Sequence, residues 1–461
     1  MEHIIQRFRS NLGYNPWEDS MIRKGLAAVY GQLESKIQKP LEWLINHSLI
    51  FSLLALLSKH IPIVMGVGLV LCSVIPDNLW SNIYLIPMAF GLWILGLMNG
   101  EGKAKRSFED FFVLFMITIA LATVFSIHPA LSLPYGLLYG AVFVIFSVFI
   151  NQIRSGEDLL NVVIALTFAA LMVSIYGILQ KHVIGVSVNL SQTDISISQE
   201  LSGRVYSTLG NPNILGEFYL LVLPLVVGLF LVHDKKAVKA LAAMTLLLSL
   251  YVLLATGSRS AWGSFAFGMA VFIALYKPRW LPIFLMMGLI SFFFMPQTIQ
   301  VRVMSIFNKN DSSLGYRRMI YEAASLMKGD YQWVGGVGLG GDIFQKVFES
   351  YKVEELTTVA HSHNLYLQLA IEAGIFSVIF LLSYMAKTVL KAISSFAQIK
   401  SGEEGKIKIL QIACFSSFAG FFLMSFVDYT WFYFRIIVLF FAVVGILSNL
   451  NDIIAQTDKA E

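Results

Sequence analysis

Two histidines precede an apolar run in Ala360-His361-Ser362-His363-Asn364-Leu365. Polar groups at the mouth of a membrane helix are rare unless they act on something. The pattern predicts His363 at the N-terminal end of a helix. The positive end of a helix dipole disfavours an imidazolium, and a neutral imidazole is what a general base requires. Ser362 or Asn364 is also the kind of residue that caps a helix, which is the structural alternative for this motif. His361, two residues away, falls on another face and either positions something or is solvated. Arg259 stands in a second candidate, Ala255-Thr256-Gly257-Ser258-Arg259-Ser260-Ala261. A guanidinium keeps its charge and can grip two phosphate oxygens at once. Gly257, Ser258 and Ser260 let backbone donors converge beside it. Snorkelling to lipid headgroups is its plainer role. Arg317 and Arg318 are adjacent, so in a regular segment one meets a ligand and the other meets solvent. Arg204 lies in Gly203-Arg204-Val205-Tyr206-Ser207-Thr208-Leu209-Gly210-Asn211-Pro212-Asn213. This is turn chemistry just ahead of a helix, and its polar groups, Asn213 included, can line a cleft.

The elements that must position these residues are membrane helices. The chain is 57% apolar and 13% charged, against about 25% charged in a soluble domain. A span needs roughly 20 apolar residues, and about twelve such runs occur: near 61–77, 82–98, 109–127, 133–151, 158–180, 213–232, 238–255, 261–276, 281–295, 363–386, 408–427 and 431–449. They do not alternate as barrel strands do. The expected fold is therefore all-α and polytopic, with one large extracytoplasmic loop. The stretch 42–58 reads as an interfacial or half-buried helix, because Lys59 and His60 end it.

Basic residues in short loops mark the cytoplasmic side. One alternating set of loops holds Lys103, Lys105, Arg106, Arg154, Lys235, Lys236, Lys239, Lys277, Arg279, Lys387, Lys391, Lys400, Lys406 and Lys408. Both termini are then cytoplasmic and the candidate residues face outward. The expected organisation is a cytoplasmic or interfacial segment (1–48), nine spans over 49–295 with an outer loop at 181–212, a large outer loop at 296–362, three spans over 363–450, and a tail at 451–461. A loop as long as 296–362 is more often functional or a small subdomain than idle.

Other signals narrow the class. Cys72 and Cys414 give neither a disulfide framework nor metal spacing. There is no phosphate-binding loop, no zinc-protease motif and no nucleotide fingerprint. No basic block suggests nucleic acid, and no cleavable signal is visible. Neither a cofactor nor a metal is expected. Glu217, Glu372 and Arg435 lie within apolar runs. They motivate a second reading, a transporter for a small anion such as bicarbonate. Nine residues separate His363 from Glu372, which puts them on opposite sides of a straight helix. Glu217 has Arg204 or Arg259 as its nearest imaginable partner.

With those residues in view, the chain resembles the O-antigen ligase and polymerase superfamily. The family pattern is His, then Asn, Ser or Gln, nine residues, Gly, two residues, then Gly, Thr or Tyr. Here His363-Asn364 is followed by nine residues and Gly374-Ile375-Phe376-Ser377, with serine at the last position. The Thr256-Gly257-Ser258-Arg259 turn is similar to the family's outer arginine turn. The run Gly335-Gly336-Val337-Gly338-Leu339-Gly340 is similar to its long outer loop. Arg204-Val205-Tyr206-Ser207, Gly210-Asn211-Pro212-Asn213 and Arg302-Val303-Met304-Ser305-Ile306-Phe307 resemble a branch described as bicarbonate-transporter-like. The likeness runs from about 60 to 450. It implies transfer of a glycan from undecaprenyl diphosphate to an acceptor glycan or glycolipid, in contact with membrane lipids. His363 would be the base and Arg259, with Arg317 or Arg318, would hold the leaving diphosphate. Arg204, Asn213, His361 and Asn364 would bind substrate. No metal is then needed, and a single displacement inverts the anomeric carbon.

Overall fold

The computed structural model describes residues 21–99, 109–186, 203–305, 312–333, 335–352, 356, 359–396 and 403–457. The basic loop residues Lys103, Lys105, Arg106 and Lys400, the middle of the 181–212 loop, the start of the N-terminal segment and the end of the tail lie outside the described residues. Within these limits there are eighteen α-helices and no strand. In chain order they are α1 Met21–His47, α2 Leu49–Ser58, α3 Ile61–Val74, α4 Leu85–Met98, α5 Asp110–Val124, α6 Pro129–Gln152, α7 Gly156–Leu179, α8 Pro212–Val232, α9 Lys236–Ala255, α10 Arg259–Tyr276, α11 Leu281–Phe294, α12 Gln297–Met304, α13 Ser312–Tyr331, α14 Gly341–Phe348, α15 Leu365–Ala373, α16 Ile375–Phe396, α17 Glu403–Met424 and α18 Phe434–Thr457.

The chain is an all-α, multi-pass membrane protein. Six helices are long and apolar enough to cross a membrane, or up to eight if two bent pairs each count as one span. Four of the twelve runs read from the sequence form shorter apolar helices, at Ile61–Val74, Asn82–Met98, Asp110–Val124 and Phe434–Ser448. Apolar composition continues into turns, so the hydropathy run overstates the length of the helix. One bent pair is Lys36–His47 with Leu49–Ser58, at 114°, and the other is Pro278–Phe294 with Gln297–Met304, at 119°. The run at 363–386 breaks at Gly374, between α15 and α16. Gly374 has φ +81, and a Cβ there would sit 3.1 Å from the Gln332 carbonyl oxygen. A side chain is strained in that backbone conformation whatever the space. The last helix runs on to Thr457, into the stretch expected as a tail.

Helix α8 is the axle of the bundle. It packs against α7, α9, α10 and α17, and Leu215, Phe218, Tyr219 and Leu221 are wholly buried. Its start follows from local chemistry. Asn211 caps it by accepting from the Asn213 backbone N–H at 2.8 Å, and Pro212 takes the first position, where no amide bond is lost. Part of the segment 296–362 has a hydrophobic cluster of its own, shared with Ile371 of α15. Ile320, Ala324, Met327, Val337, Ile343 and Phe344 form a second buried cluster, apart from the main core. Its glycine run lies along α15, where Val337 N–H donates to the Ile371 carbonyl at 2.8 Å and Gly338 N–H to the Glu372 carbonyl at 3.0 Å. These bonds fix the glycine run against the helix that His363 introduces.

Candidate functional site

Three turns meet above α8: 204–213, 256–259 and 425–433. The fourth wall is the segment 360–364. His363 precedes the cap of α15 and has φ 50, a left-handed conformation unusual for a residue with a side chain. Such strain costs about 1–3 kcal/mol. Two hydrogen bonds hold it. Tyr321 Oη donates to the His363 carbonyl at 2.9 Å, and His363 N–H donates to His361 Nδ1 at 3.2 Å. At about 1 kcal/mol each, they are of the size needed to offset the strain.

The side chain of His363 meets Asp428. Nδ1 lies 3.2 Å from Asp428 Oδ1, and the same oxygen accepts from the Tyr429 backbone N–H at 2.9 Å. Burial alone would raise the Asp428 carboxyl. The hydrogen bond and charge of His363, together with Arg317 and His361, outweigh it and hold the group well below the usual carboxylate range. An ionised carboxylate only accepts, so Nδ1 of His363 carries the proton and Nε2 is left to take one. The imidazole side chain is 24% exposed and the carboxylate 5%. The dyad therefore opens through the histidine. The helix dipole is therefore not the only influence on the ring, because an acid lies beside it.

Asp428 also leads to the arginines. Its Oδ2 accepts from Asn213 Nδ2 at 3.0 Å. Asn213 Oδ1 accepts from Arg204 Nη2 at 2.8 Å, and Arg204 Nε donates to the Thr256 carbonyl at 2.6 Å. Arg302 Nε donates to the Gly257 carbonyl at 2.9 Å, and Arg259 Nη1 donates to Ser305 Oγ at 2.6 Å. Burial first, then the charges of Arg302, Arg317 and Arg259 set against that of Asp428, brings the Arg204 guanidinium down to about 9. It remains charged at neutral pH. Four cations thus bear on a region whose nearest acid is Asp428, which makes the region attractive to an anion.

The structure brings together His361, His363, Arg204, Asn213, Arg259 and Arg317, all singled out in the sequence. Arg318 turns away and pairs with Glu322 at 3.0 Å, both side chains being largely exposed. Asn364 is the cap of α15. Its Oδ1 accepts from the Leu367 N–H at 2.9 Å and its Nδ2 donates to the Phe426 carbonyl at 2.9 Å, so its polar atoms are engaged within the fold. His361 is enclosed by rings. Its centroid is 4.3 Å from that of His363, 4.9 Å from Phe432 and 5.6 Å from Tyr429. Burial, with the neighbouring His363, pushes the His361 imidazole down to about 3.

Three participants escaped the sequence reading. Asp428 and Tyr321 were not singled out, and Arg302 was noted only within a motif. Asp428 had a signal, as an acid in the short turn between two apolar runs. Tyr321 had none. Glu217 pairs with neither Arg204 nor Arg259; both of its oxygens are buried with no hydrogen-bond partner among the described residues. Glu372 is likewise no partner of His363. It accepts from Gln368 Nε2 at 2.8 Å and lies 3.5 Å from Tyr429 Oη.

His361, His363 and Asp428 offer three ligand atoms within 4.8 Å of one another. That spacing would admit a cation. Yet the Asp428 oxygens already accept from three donors, His361 Nδ1 accepts from an amide, and the arginines raise the local potential. These features suit an anion next to a base better than a metal centre.

Residues 244–382 match a family model described as O-antigen ligase. The matched stretch contains Arg259, Arg302, Arg317, Tyr321, His361 and His363. No match is found among curated proteins.

Proposed function

We propose, from the match of residues 244–382 to the O-antigen ligase family model and from the geometry of the site, that this chain is a member of that superfamily and transfers a glycan from undecaprenyl diphosphate to an acceptor hydroxyl on the outer side of the cytoplasmic membrane. Both termini would then be cytoplasmic. The observation that carries this reading is a histidine fixed by a buried aspartate beside four arginines. His363 Nε2 takes the proton from the acceptor hydroxyl as its oxygen bonds to the anomeric carbon. The bond from that carbon to the diphosphate oxygen breaks, and its electron pair leaves with the lipid diphosphate. Asp428 stabilises the imidazolium that forms, as a triad aspartate does. Arg259, Arg302 and Arg317 stabilise the diphosphate, and in a water-poor cleft such stabilisation is often the largest contribution to rate. Arginines in this role replace a metal. A single displacement inverts the carbon.

The anion-transport alternative needs a charged site near the midplane, framed by broken helices. Its three candidates are dispersed. Arg435 pairs with Asp77 at 2.7 Å, Glu372 is bonded to Gln368, and Glu217 stands without a partner among the described residues.

The test is purified protein with an undecaprenyl-diphosphate glycan and a panel of acceptors. Wild type should release lipid diphosphate and extend an acceptor, with chelator present or absent. His363→Ala should be about 10²–10⁴-fold slower. Normal rates in both His363→Ala and Arg259→Ala would end this reading, and anion uptake by proteoliposomes without transfer would favour the alternative.

A further inference from the structure

A cavity of about 270 Å³ is lined in part by Ala360, Tyr429 and Phe432; the last two also pack against the ring of His361, which in turn lies 4.3 Å from that of His363. Its size is just below the roughly 300 Å³ at which pockets begin to hold drug-sized ligands. Tyr135, Tyr139 and Trp431 supply rings, and Gln345, Asp342 and Glu372 supply polar groups. Glu372 and Tyr139 are buried while Asp342 is exposed, so the polar partners extend from the interior to the mouth. Gly340 forms part of the wall because Tyr135 leaves no room for more. A Cβ there would lie 2.4 Å from the tyrosine ring, and the backbone has φ +113.

We propose that this cavity is a saccharide subsite, holding one sugar ring next to the ring that reacts at His363. The inference rests on the glycan-transfer reading for its link to chemistry, but not for its recognition logic. A pyranose has apolar C–H faces and a rim of hydroxyls. Aromatic faces cover the first, and carboxylate and amide oxygens accept from the second. Among the described residues no lysine or arginine lines the cavity, so it does not suit the phosphates of the donor. Besides His363, the partners of Asp428 differ in kind: Asn213 leads to the arginines, whereas Tyr429 also lines the cavity. Diphosphate and sugar thus have separate places around one base. A quaternary ammonium also binds among rings and carboxylates. It needs a single charge, however, and gains nothing from the amide of Gln345.

The test is equilibrium binding to the full chain in detergent, without turnover. One set of probes is the methyl glycosides of N-acetylglucosamine, galactose and rhamnose. The second is an undecaprenyl-diphosphate glycan, and the third is choline. At least one saccharide probe should bind, with Tyr135→Ala and Gln345→Ala each weakening it about tenfold. Tyr135→Phe, which keeps the ring, should weaken it less. Loss confined to the free glycosides assigns the ring to the acceptor, and loss confined to the lipid-linked probe assigns it to the donor; both support a saccharide subsite. Binding of choline alone, or saccharide affinities unchanged in both alanine variants at an unaltered thermal midpoint, overturns it. If saccharides bind as expected while wild type transfers nothing, the subsite stands and the transfer reading falls.

Discussion

Two turns in this bundle set an aspartate against a basic side chain, and they differ in what they leave open. Asp77 meets Arg435 Nη2 at 2.7 Å, and Arg435 Nη1 donates to the Ile75 carbonyl at 2.9 Å. The guanidinium also lies 5.3 Å from the Trp80 ring centre, and its side chain is only 1% exposed. That pair ties the 75–84 turn to the start of α18, and the one donor it leaves over, Arg435 Nε, is buried without a hydrogen-bond partner among the described residues. Asp428, in contrast, ends in a histidine whose second nitrogen faces outward, and its other oxygen leads to an arginine cluster. Residue types do not separate a clamp from a reactive centre. Unused valence that reaches the surface does, as at His363, which is 24% exposed, against 1% for Arg435.

The same substitution at the two aspartates breaks or sharpens this contrast. Asp428→Asn should keep the fold, since its amide oxygen can still accept from the Tyr429 N–H. It should slow transfer about 10²–10⁴-fold, the range for losing a general base, because an amide no longer dictates which nitrogen of His363 carries the proton. Asp77→Asn strands a buried guanidinium, and removing one partner of a buried pair costs about 3–5 kcal/mol. Asp77 is itself 29% exposed, so the lower end is expected. Thermal unfolding in detergent and transfer rate should therefore respond in opposite order for the two variants. A normal thermal midpoint with abolished transfer in Asp77→Asn would show that the clamp is not merely structural.

The adjacent arginines give a smaller contrast. Arg317 makes no hydrogen bond or ion pair among the described residues, and its charge acts on Asp428, His361 and Arg204. Arg317→Ala should cut transfer about 10–100-fold, about 1.4 kcal/mol per tenfold. Arg318→Ala removes an exposed helical pair worth about 0.3–0.5 kcal/mol and should leave the rate unchanged. Equal effects would mean that α13 is oriented differently in the working protein.

His361 tests the enclosure of the site by pH. Its usual value is about 6.5, and burial lowers it to about 3 in the folded protein. The unfolded chain therefore binds the proton first, and stability is lost as pH falls through that interval. Asp428 is held low, so its own contribution is lost only below the usual aspartate value of about 4. Between about pH 6.5 and 4 the slope of thermal midpoint against pH should thus be shallower in His361→Asn. An unchanged slope would place His361 in contact with water.

Much of the bundle was legible because apolar composition has no other use at this length. The helix starts at Asn211-Pro212 and at Asn364 were legible too, as turn and cap chemistry are local. The break at Gly374 was not, because the glycine is forced by the Gln332 carbonyl, far from it in sequence. In the site, the histidine and arginines announced themselves by type and by position at helix mouths. Asp428 did not, because its meaning comes from a contact 65 residues from His363. Tyr321 was hidden in the same way, its hydroxyl meeting a backbone carbonyl 42 residues away. Local rules name the groups that can act, whereas pairing across helices decides which of them are poised.

Asn364 is where the two kinds of information overlap, and it carries the smallest of the expected effects. Its Oδ1 performs the local task of capping α15. Its Nδ2 performs a distant one, holding the Phe426 carbonyl of the turn that bears Asp428. Loss of a cap costs about 1 kcal/mol, so Asn364→Ala should lower the thermal midpoint modestly. Asn364→Asp keeps the cap oxygen but cannot donate to Phe426. If the cap is the whole role, the aspartate variant should match wild type in both stability and rate. If the turn must also be held for Asp428 to face His363, the aspartate variant should recover stability yet stay slow. The second result is expected, because the site depends on where that turn lies more than on how firmly α15 begins.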